Sequence, residues 1–308
     1  MLVELFYHID EFCKLLNSTR ISDKSPNMSI QSSLTSSEIM TICVYYHFSG
    51  YKTFKDYYIK GVLRYNQKDF QKLVSYSRFI ELKQELALDL GLFAMLLCHL
   101  NKCTGTSFID STPLVVCHNR RIYSHKVFKG LAARGKTSTG WFFGFKLHIV
   151  IDQNGNILNF HFTPGNVSDA NAETLTSLLT DLFGNIYGDK GYLLNQKLFE
   201  YFYENGLHMI TKIRSNMDNK LMALGDKLLL SKRGMVESVI DILKIHLSID
   251  HTRHRSPRAF LANLFSGLVA YAFYPKKPSI TSKFCAISWF FFYRTYVKIG
   301  LDKGGALY

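Results

Sequence analysis

The chain has 308 residues and is strongly basic, with a formal net charge of +13 and a pI near 9.3. Apolar residues make up 47% of it, which excludes a disordered chain and allows a large core in one or two domains. The longest apolar runs fall far short of the ~20 residues that a membrane-spanning helix needs. No signal segment opens the chain, so we expect a cytoplasmic protein without a membrane partner.

The positive charge is unevenly distributed along the chain. Residues 1–100 carry 11 basic and 10 acidic side chains, whereas the remaining residues carry 26 basic and 14 acidic ones. Concentrated positive charge favours an anionic partner, with nucleic acid preferred to a membrane surface. The six cysteines form neither a CxxC pair nor a zinc-site spacing, which is typical of free thiols in a reducing compartment.

Apolar residues at helical spacing predict an all-helical N-terminal domain over residues 1–100. Its clearest start signal is Thr35 with Glu38 three residues later, the spacing of a capping box, and Gly50 marks a helix end. Two interpretations remain open, a helix-turn-helix unit that binds DNA ends and a packing and dimerisation domain. The near-neutral charge favours the second, because domains that enter a DNA groove are usually basic.

After residue 100 the pattern changes to that of strands. Residues 106–110 predict a strand that ends on Asp110. A charge at the end of a buried strand needs a partner, and a divalent cation is one, although an aspartate that caps a turn is the simpler alternative. The following segment, 118–136, has no acidic residue, and we interpret it as phosphate-contacting rather than as a solvated loop. Its basic residues are Arg120, Arg121, Lys126, Lys129, Arg134 and Lys136.

Alternating apolar residues predict a strand over 141–151, with Lys146 and His148 on its polar face, and a return strand over 157–162. Asn154-Gly155 supplies the hairpin turn between them. A helix to about residue 182 follows, with Ser168 or Asp169 as its N-cap. That capping role explains Asp169 without a catalytic one.

Two further acids complete the pattern. Asp189 ends a short strand and is flanked by glycines, which permit close approach of a ligand. A helix over about 195–205 and a strand over 207–213 come next. Glu237 lies on a predicted helix over 231–248, where about 100° per residue places Arg233, Glu237 and Lys244 on one stripe opposite an apolar face. A surface ion pair between Arg233 and Glu237 is the alternative.

These elements predict an α/β fold, a mixed sheet in the order βββαβαβα with helices on its faces. Neighbouring strand ends would bring Asp110 and Asp189 together, and the helix would add Glu237. Three converging carboxylates need a divalent metal to offset their repulsion, and oxygen ligands select Mg²⁺ or Mn²⁺. Two such ions ~3.5–4 Å apart suit in-line phosphoryl transfer.

Eight stretches of the chain match a known family. They are FIDST (108–112), CHNRR (117–121), KVFKGLA (126–132), RGKTS (134–138), WFFGFKLH (141–148), TPGN (163–166), GDKGY (188–192) and HRSP (254–257). On these motifs the chain resembles the DDE transposases of bacterial insertion sequences, and it is most similar to the insertion sequence 982 family. The resemblance covers about residues 3 to 280.

The resemblance implies an RNase H-like catalytic domain over residues 101–275, in which Asp110, Asp189 and Glu237 bind Mg²⁺ or Mn²⁺ and are catalytic. It implies a transposase that cleaves DNA at the inverted repeats of its element and transfers the ends into target DNA. Its partner would be double-stranded DNA, bound by a homodimer at the bacterial nucleoid.

The resemblance also extends to DNA contacts. Arg233, Glu237 and Lys244 match part of a related Tyr-Arg-Glu-Lys signature, but Leu230 stands where the tyrosine is expected. The residues assigned to DNA in addition to the basic segment are Lys190, Arg233, Lys244, Arg253 and Arg255.

Residues 276–308 form a C-terminal tail in which the chain departs from the family. Its members end soon after a segment like 275–278, whereas this chain continues through an aromatic cluster at 289–293. The cluster is a core strand, a dimer contact or a read-through tail without a selected role. If the tail is a read-through product, the alternative function is that of a catalytically inactive transposase remnant that only binds DNA. A non-catalytic DNA-binding protein and a glycosidase with paired carboxylates are further alternatives, but a glycosidase leaves the third acid unexplained.

Overall fold

The computed structural model describes residues 1–20, 33–70, 72–138, 140–211, 222–250 and 254–280. Every regular element that it describes before residue 101 is helical. These elements are α1 (Leu2–Arg20), α2 (Ser36–Tyr45), α3 (Phe54–Asp56), α4 (Leu63–Tyr65), α5 (Tyr76–Glu85) and α6 (Ala87–Leu100), with a 3₁₀ turn at Tyr46–Phe48 and a π-helical turn at Tyr57–Val62.

The start of α2 confirms the predicted capping box. The Thr35 hydroxyl accepts a hydrogen bond from the amide of Glu38 at 3.2 Å, and the Glu38 carboxylate accepts one from the amide of Thr35 at 2.7 Å. Gly50 ends this helical stretch with a φ of 73°, a left-handed conformation that favours glycine. These signals act over three or four residues, so they are visible in the sequence.

A mixed six-stranded sheet follows the helices. Its strands are β1 (Thr106–Cys117), β2 (Ala133–Thr137), β3 (Gly140–Asp152), β4 (Ile157–Pro164), β5 (Gly184–Gly188) and β6 (Leu207–Thr211). The order is β2-β3-β1-β5-β6, and β4 pairs with the part of β3 that β2 does not reach. β1 is antiparallel to β3 and parallel to β5, and β5 is parallel to β6.

The remaining described helices are α7 (Ala172–Leu179), α8 (Gln196–Glu204), α9 (Leu224–Ser231), α10 (Gly234–Asp241) and α11 (Pro257–Ala272). The helix predicted over 231–248 is present but shorter. α9 ends at Ser231, and a separate α10 begins at Gly234 and continues into a π-helical turn at Ile242–His246. A π turn accommodates an extra residue, so the uniform helical angles assumed for the stripe do not extend to Lys244.

The strand that carries Asp110 is longer than the sequence predicts. The sequence predicts that the strand ends at Asp110, yet β1 runs on past Pro113 to Cys117 beside the long β3. β5 pairs with β1 only at residues 106–108. Beyond that point the described strands pair with β1 on one side only, and a proline is tolerated at such an edge. β2 similarly begins inside the basic segment 118–136, for which the sequence analysis predicts no strand.

The two faces of the sheet pack against different helices. Phe108, Ile149 and Tyr187 belong to a large cluster that also contains the core residues of the N-terminal helices, α10 and α11. Ile109 and Val150 belong to a second cluster with α7 and α8. Because side chains alternate along a strand, Asp110 faces α10 and Ser111 faces the α7 side. None of the described helices has the length and hydropathy required to cross a bilayer.

Candidate active site

The register of β1 and β5 aligns the first two predicted acids. The last paired residues are Phe108 and Tyr187, and two residues further along each strand come Asp110 and Asp189. Neighbouring strands lie about 4.8 Å apart, and residues two apart share a face. Asp110 and Asp189 therefore extend from the same edge of the sheet on the side that faces α10, and both are half-buried.

Arg233 connects the first and third acids. Its Nη1 donates to Asp110 Oδ2 at 3.2 Å, and its Nη2 donates to Glu237 Oε1 at 2.9 Å. Arg233 immediately precedes α10, which packs against β1, and Glu237 follows one turn later on the exposed side of that helix. The predicted Arg233–Glu237 pair exists, and the same guanidinium reaches across to the sheet.

The charges of the other two acids act on Asp110. The pKa of Asp110 is raised to about 6, mainly by burial and to a smaller extent by the charges of Glu237 and Asp189, while the Ser111 amide and Arg233 oppose the rise. Asp110 Oδ1 accepts from the Ser111 amide at 2.8 Å. The cluster is an all-oxygen donor set, which suits a hard divalent cation. Within the described chain, however, no three histidine, cysteine or acidic side chains are grouped closely enough to hold a metal as they stand.

Lys244 and Leu230 differ from what the signature predicts. The Lys244 ammonium donates to the carbonyl of Pro113 at 2.9 Å, so it joins the helix to β1 beyond Asp110. Leu230, at the position of the missing tyrosine, is 6% exposed and lies in the large core cluster. That position therefore serves packing.

Asp169 has a different role from the predicted one. The N-cap of α7 is Asn171, whose side chain accepts from the Thr174 amide at 2.9 Å. The Asp169 carboxylate instead accepts from Ser111 Oγ at 3.0 Å and from Lys146 Nζ at 3.1 Å. The prediction that Asp169 needs only a capping role was wrong. The available signal was a lysine on the polar face of β3, which needs an acidic partner where it is buried.

The basic segment 118–136 is exposed on the surface. All six of its lysines and arginines are exposed, and none forms an ion pair within the part of the chain that the structure describes. Trp141, on the adjoining strand, is 50% exposed, with Arg134 Cζ 4.5 Å and Lys136 Nζ 5.7 Å from its ring centroid. Lys190 and Arg255 are also exposed, while Arg253 lies outside the described residues.

Comparison with known proteins identifies one family. Residues 100–257, just over half of the chain, match the family model described as Transposase DDE domain. Among solved structures, a cryo-EM structure of a piggyBac transposase synaptic complex with hairpin DNA is similar, with 12% sequence identity and a TM-score of 0.49, over 88% of this chain and 71% of that one. No curated protein sequence matches significantly.

Proposed function

Because this chain belongs to the transposase DDE domain family, we propose that it is the transposase of a bacterial insertion sequence similar to the insertion sequence 982 family. It cleaves DNA at the terminal inverted repeats of its element and joins the 3′-hydroxyl ends to target DNA. On this proposal β4-β3-β1-β5-β6 is an RNase H-like sheet, and residues 101–275 form the catalytic domain. Residues 1–100 support dimerisation or DNA-end binding, and the role of the tail is open.

The observation that carries this proposal is the pairing of Arg233 with both Asp110 and Glu237, with Asp189 at the aligned position on the neighbouring strand. Two acids where β1 and β5 cease to pair and a third on the crossing helix α10 would supply oxygen ligands from three separate elements. We assign these three residues to Mg²⁺ or Mn²⁺. When bound, such ions activate the attacking oxygen and stabilise the leaving oxygen in phosphoryl transfer.

The protein's own groups prepare this site in several ways. Burial of Asp110 on the α10 side keeps water from surrounding the carboxylate, and the Ser111 amide orients one of its oxygens. Arg233 offsets negative charge between Asp110 and Glu237 and, once displaced from them, is placed to bind a DNA phosphate. Lys190, next to Asp189, is exposed at the same edge and is assigned to phosphate binding.

The basic segment is assigned to the flanking DNA. Exposed cations without acidic partners gain most from phosphate contact, since counterions are released from the duplex when they bind. Trp141 adds an aromatic surface between two of these cations. The assignment of Lys244 to DNA binding has less support than the other assignments, because its ammonium already donates to the β1 backbone.

The deciding experiment compares Asp189→Asn with the wild-type protein on the element's end DNA, by gel shift and nicking assay in Mg²⁺ and in EDTA. The amide removes one anionic oxygen that a hard cation needs. We expect near wild-type DNA binding and a loss of cleavage of at least ~10²-fold. Asp181→Asn is the matched control, because Asp181 is exposed and has a φ of 62°, which asparagine also tolerates.

Two outcomes would contradict the proposal. If folded Asp189→Asn loses binding and cleavage together, then Asp189 organises the DNA site and does not bind metal. If wild-type protein binds the ends but does not cleave them in Mg²⁺ or Mn²⁺, the chain is the inactive, DNA-binding remnant.

A further inference from the structure

Beyond residues 108 and 187, the two strands that carry the acids are no longer paired. β1 and β5 share register only from Thr106–Asn185 to Phe108–Tyr187, so Asp110 and Asp189 lie on extensions that no described β1–β5 pairing joins. The two carboxylates lie on neighbouring strands, and their like charges repel each other. Another contact must therefore set the separation of the two acids.

One carboxylate on the opposite face of the sheet bonds to one extension and lies beside the other. Asp169 Oδ1 accepts from the hydroxyl of Ser111, the residue after Asp110, at 3.0 Å. Its other oxygen, Oδ2, faces the turn after Asp189, where a Cβ added to Gly191 would lie only 3.4 Å away. Asp169 thus bonds to the residue that follows Asp110, and its other oxygen lies close to the turn two residues after Asp189.

Tyr192 is buried near the same groups. It is 1% exposed, and its hydroxyl pKa is raised well above the usual value by burial, by the charge of Asp169 and by that of Asp110. The turn that carries Tyr192 packs closely on the strands, since a Cβ on Gly188 would lie 3.0 Å from Ile109 Cγ2 and 3.2 Å from Tyr192 Cβ. A shift of this turn would therefore displace Asp189.

Lys146 anchors Asp169 to the sheet. The lysine ammonium, with its side chain 12% exposed, donates to Asp169 Oδ1 at 3.1 Å and to the Val167 carbonyl at 2.8 Å. His148, on the same face of β3, is fully buried, with Nε2 3.1 Å from Thr163 Oγ1 and Nδ1 4.0 Å from Asp169 Oδ1. These contacts hold the connection between β4 and α7 against β3, the long strand with which β1 pairs.

We propose that Asp169 is a positioning residue for the reaction, holding the chain after Asp110 and the turn after Asp189 at the separation that both acids need to bind one divalent ion. This inference rests on the proposed function. It assigns to Asp169 no contact with DNA or with the reacting atoms, because Asp169 lies on the face of the sheet opposite Asp110.

The test uses the full-length protein and the variants Asp169→Ala, Asp169→Asn and Ser111→Ala. Mn²⁺ affinity is measured without DNA by electron paramagnetic resonance, and nicking is measured as a function of Mg²⁺ concentration. For Asp169→Ala we expect both metal dissociation constants to rise about 10- to 100-fold, the usual effect of losing a group that orients metal ligands. Asparagine keeps an acceptor for Ser111 and should restore most of the affinity. Binding of end DNA should change less than about twofold, since phosphate contacts dominate it.

A second variant separates positioning from folding. Asp169→Ala leaves Lys146 half-buried without its acid, which itself destabilises a protein. The double variant Lys146→Met and Asp169→Leu removes both charges together and keeps the side-chain volume, so it should fold. Its Mn²⁺ binding should still be weaker than that of the wild type. Wild-type Mn²⁺ affinity in the folded double variant would overturn the inference. Weakened Mn²⁺ binding in a protein whose wild type never nicks DNA would support Asp169 as a positioning residue and contradict the proposed reaction.

Discussion

Among single residues, Arg233 acts directly on the acids, because its positive charge offsets two of their negative charges. Its guanidinium bonds to Asp110 and Glu237 at once, and the side chains of Arg233 and Asp110 are 14% and 19% exposed. On the proposed function, a divalent ion bound by these acids would need the same oxygens. The arginine and the metal would therefore compete in the DNA-free protein.

Replacing Arg233 by glutamine should tighten Mn²⁺ binding to the DNA-free protein. An ion pair of this exposure contributes about 1 kcal/mol, so its loss should lower the dissociation constant roughly fivefold. End-DNA affinity should fall, since a phosphate contact is lost. The measurement is a Mn²⁺ titration, with Arg78→Gln as control, because Arg78 pairs with Glu81 on α5. Weaker Mn²⁺ binding in Arg233→Gln would show that the arginine organises the acids and does not compete with metal.

At the level of elements, β2 and β3 extend the basic surface away from the acids. Asp110 pairs with Ile149, and Trp141 lies eight residues further along β3. At about 3.3 Å per residue this is roughly 26 Å, or about eight base pairs of B-DNA. On the proposed function, the exposed cations Arg134 and Lys136 would therefore contact the duplex well away from the cleavage position.

The double variant Arg134→Ala and Lys136→Ala should weaken DNA binding and reduce the salt dependence. Each lost phosphate contact should lower the slope of log K against log salt by about 0.9, so the change for two is about 1.8. Lys60→Ala is the control, since that lysine already pairs with Asp56 at 2.7 Å. A slope equal to that of the wild type would mean that β2 is only a solvated edge strand.

Trp141 permits a direct optical measurement at the same surface. The chain has two tryptophans, Trp141 and Trp289, so a Trp289→Phe background isolates the signal. Half of Trp141 is exposed, and bound DNA would cover it. We expect its emission to change with end-DNA concentration and to recover at high salt. Unchanged emission at concentrations that saturate the gel shift would exclude Trp141 from the interface.

For the whole molecule, the helices of residues 1–100 and the sheet share one core. The large cluster runs from Leu5 in α1 to Tyr271 in α11 and includes β1 and β3 residues. His47, 5% exposed, lies at a junction of this core. Its Nδ1 hydrogen bonds to the Leu247 carbonyl, and its Nε2 lies 2.9 Å from Ser266 Oγ. The N-terminal helices are therefore part of the support behind the acids.

His47 should make the fold sensitive to acid. Burial lowers its pKa from 6.5 to about 3, so the unfolded chain binds a proton below pH 6.5 that the folded chain does not. The contribution of neutral His47 to the free energy of unfolding is complete above pH 6.5. It is lost as the pH falls towards 3, at up to about 1.4 kcal/mol per pH unit. Urea midpoints between pH 7 and 5 should fall less steeply in His47→Gln than in the wild type. His246→Gln, at an exposed histidine, should keep the wild-type slope.

The sequence by itself determined the features that depend on near neighbours. Patterns a few residues long predict the capping box of Thr35 and Glu38 and the Asn154-Gly155 turn between β3 and β4. They also predict that Asp110 and Asp189 each follow a short apolar strand segment. Strand alternation also predicted that Lys146 and His148 share a polar face. Local hydrogen bonds and hydrophobic periodicity decide such features, and both can be recognised in one short stretch.

Only the tertiary structure decided which distant residues meet. Arg233 bonds to Asp110 across 123 residues, and Asp169 bonds to Ser111 across 58. The length of β1 was likewise decided by its partner β3, which pairs with it well beyond the predicted end at Asp110. Ser168 and Asp169 were plausible caps by residue type, but Asn171 occupies that position, which frees Asp169 to pair with Lys146. A buried charge pairs with whichever opposite charge the packing of separate elements brings to it, and no pattern of adjacent residues encodes that choice.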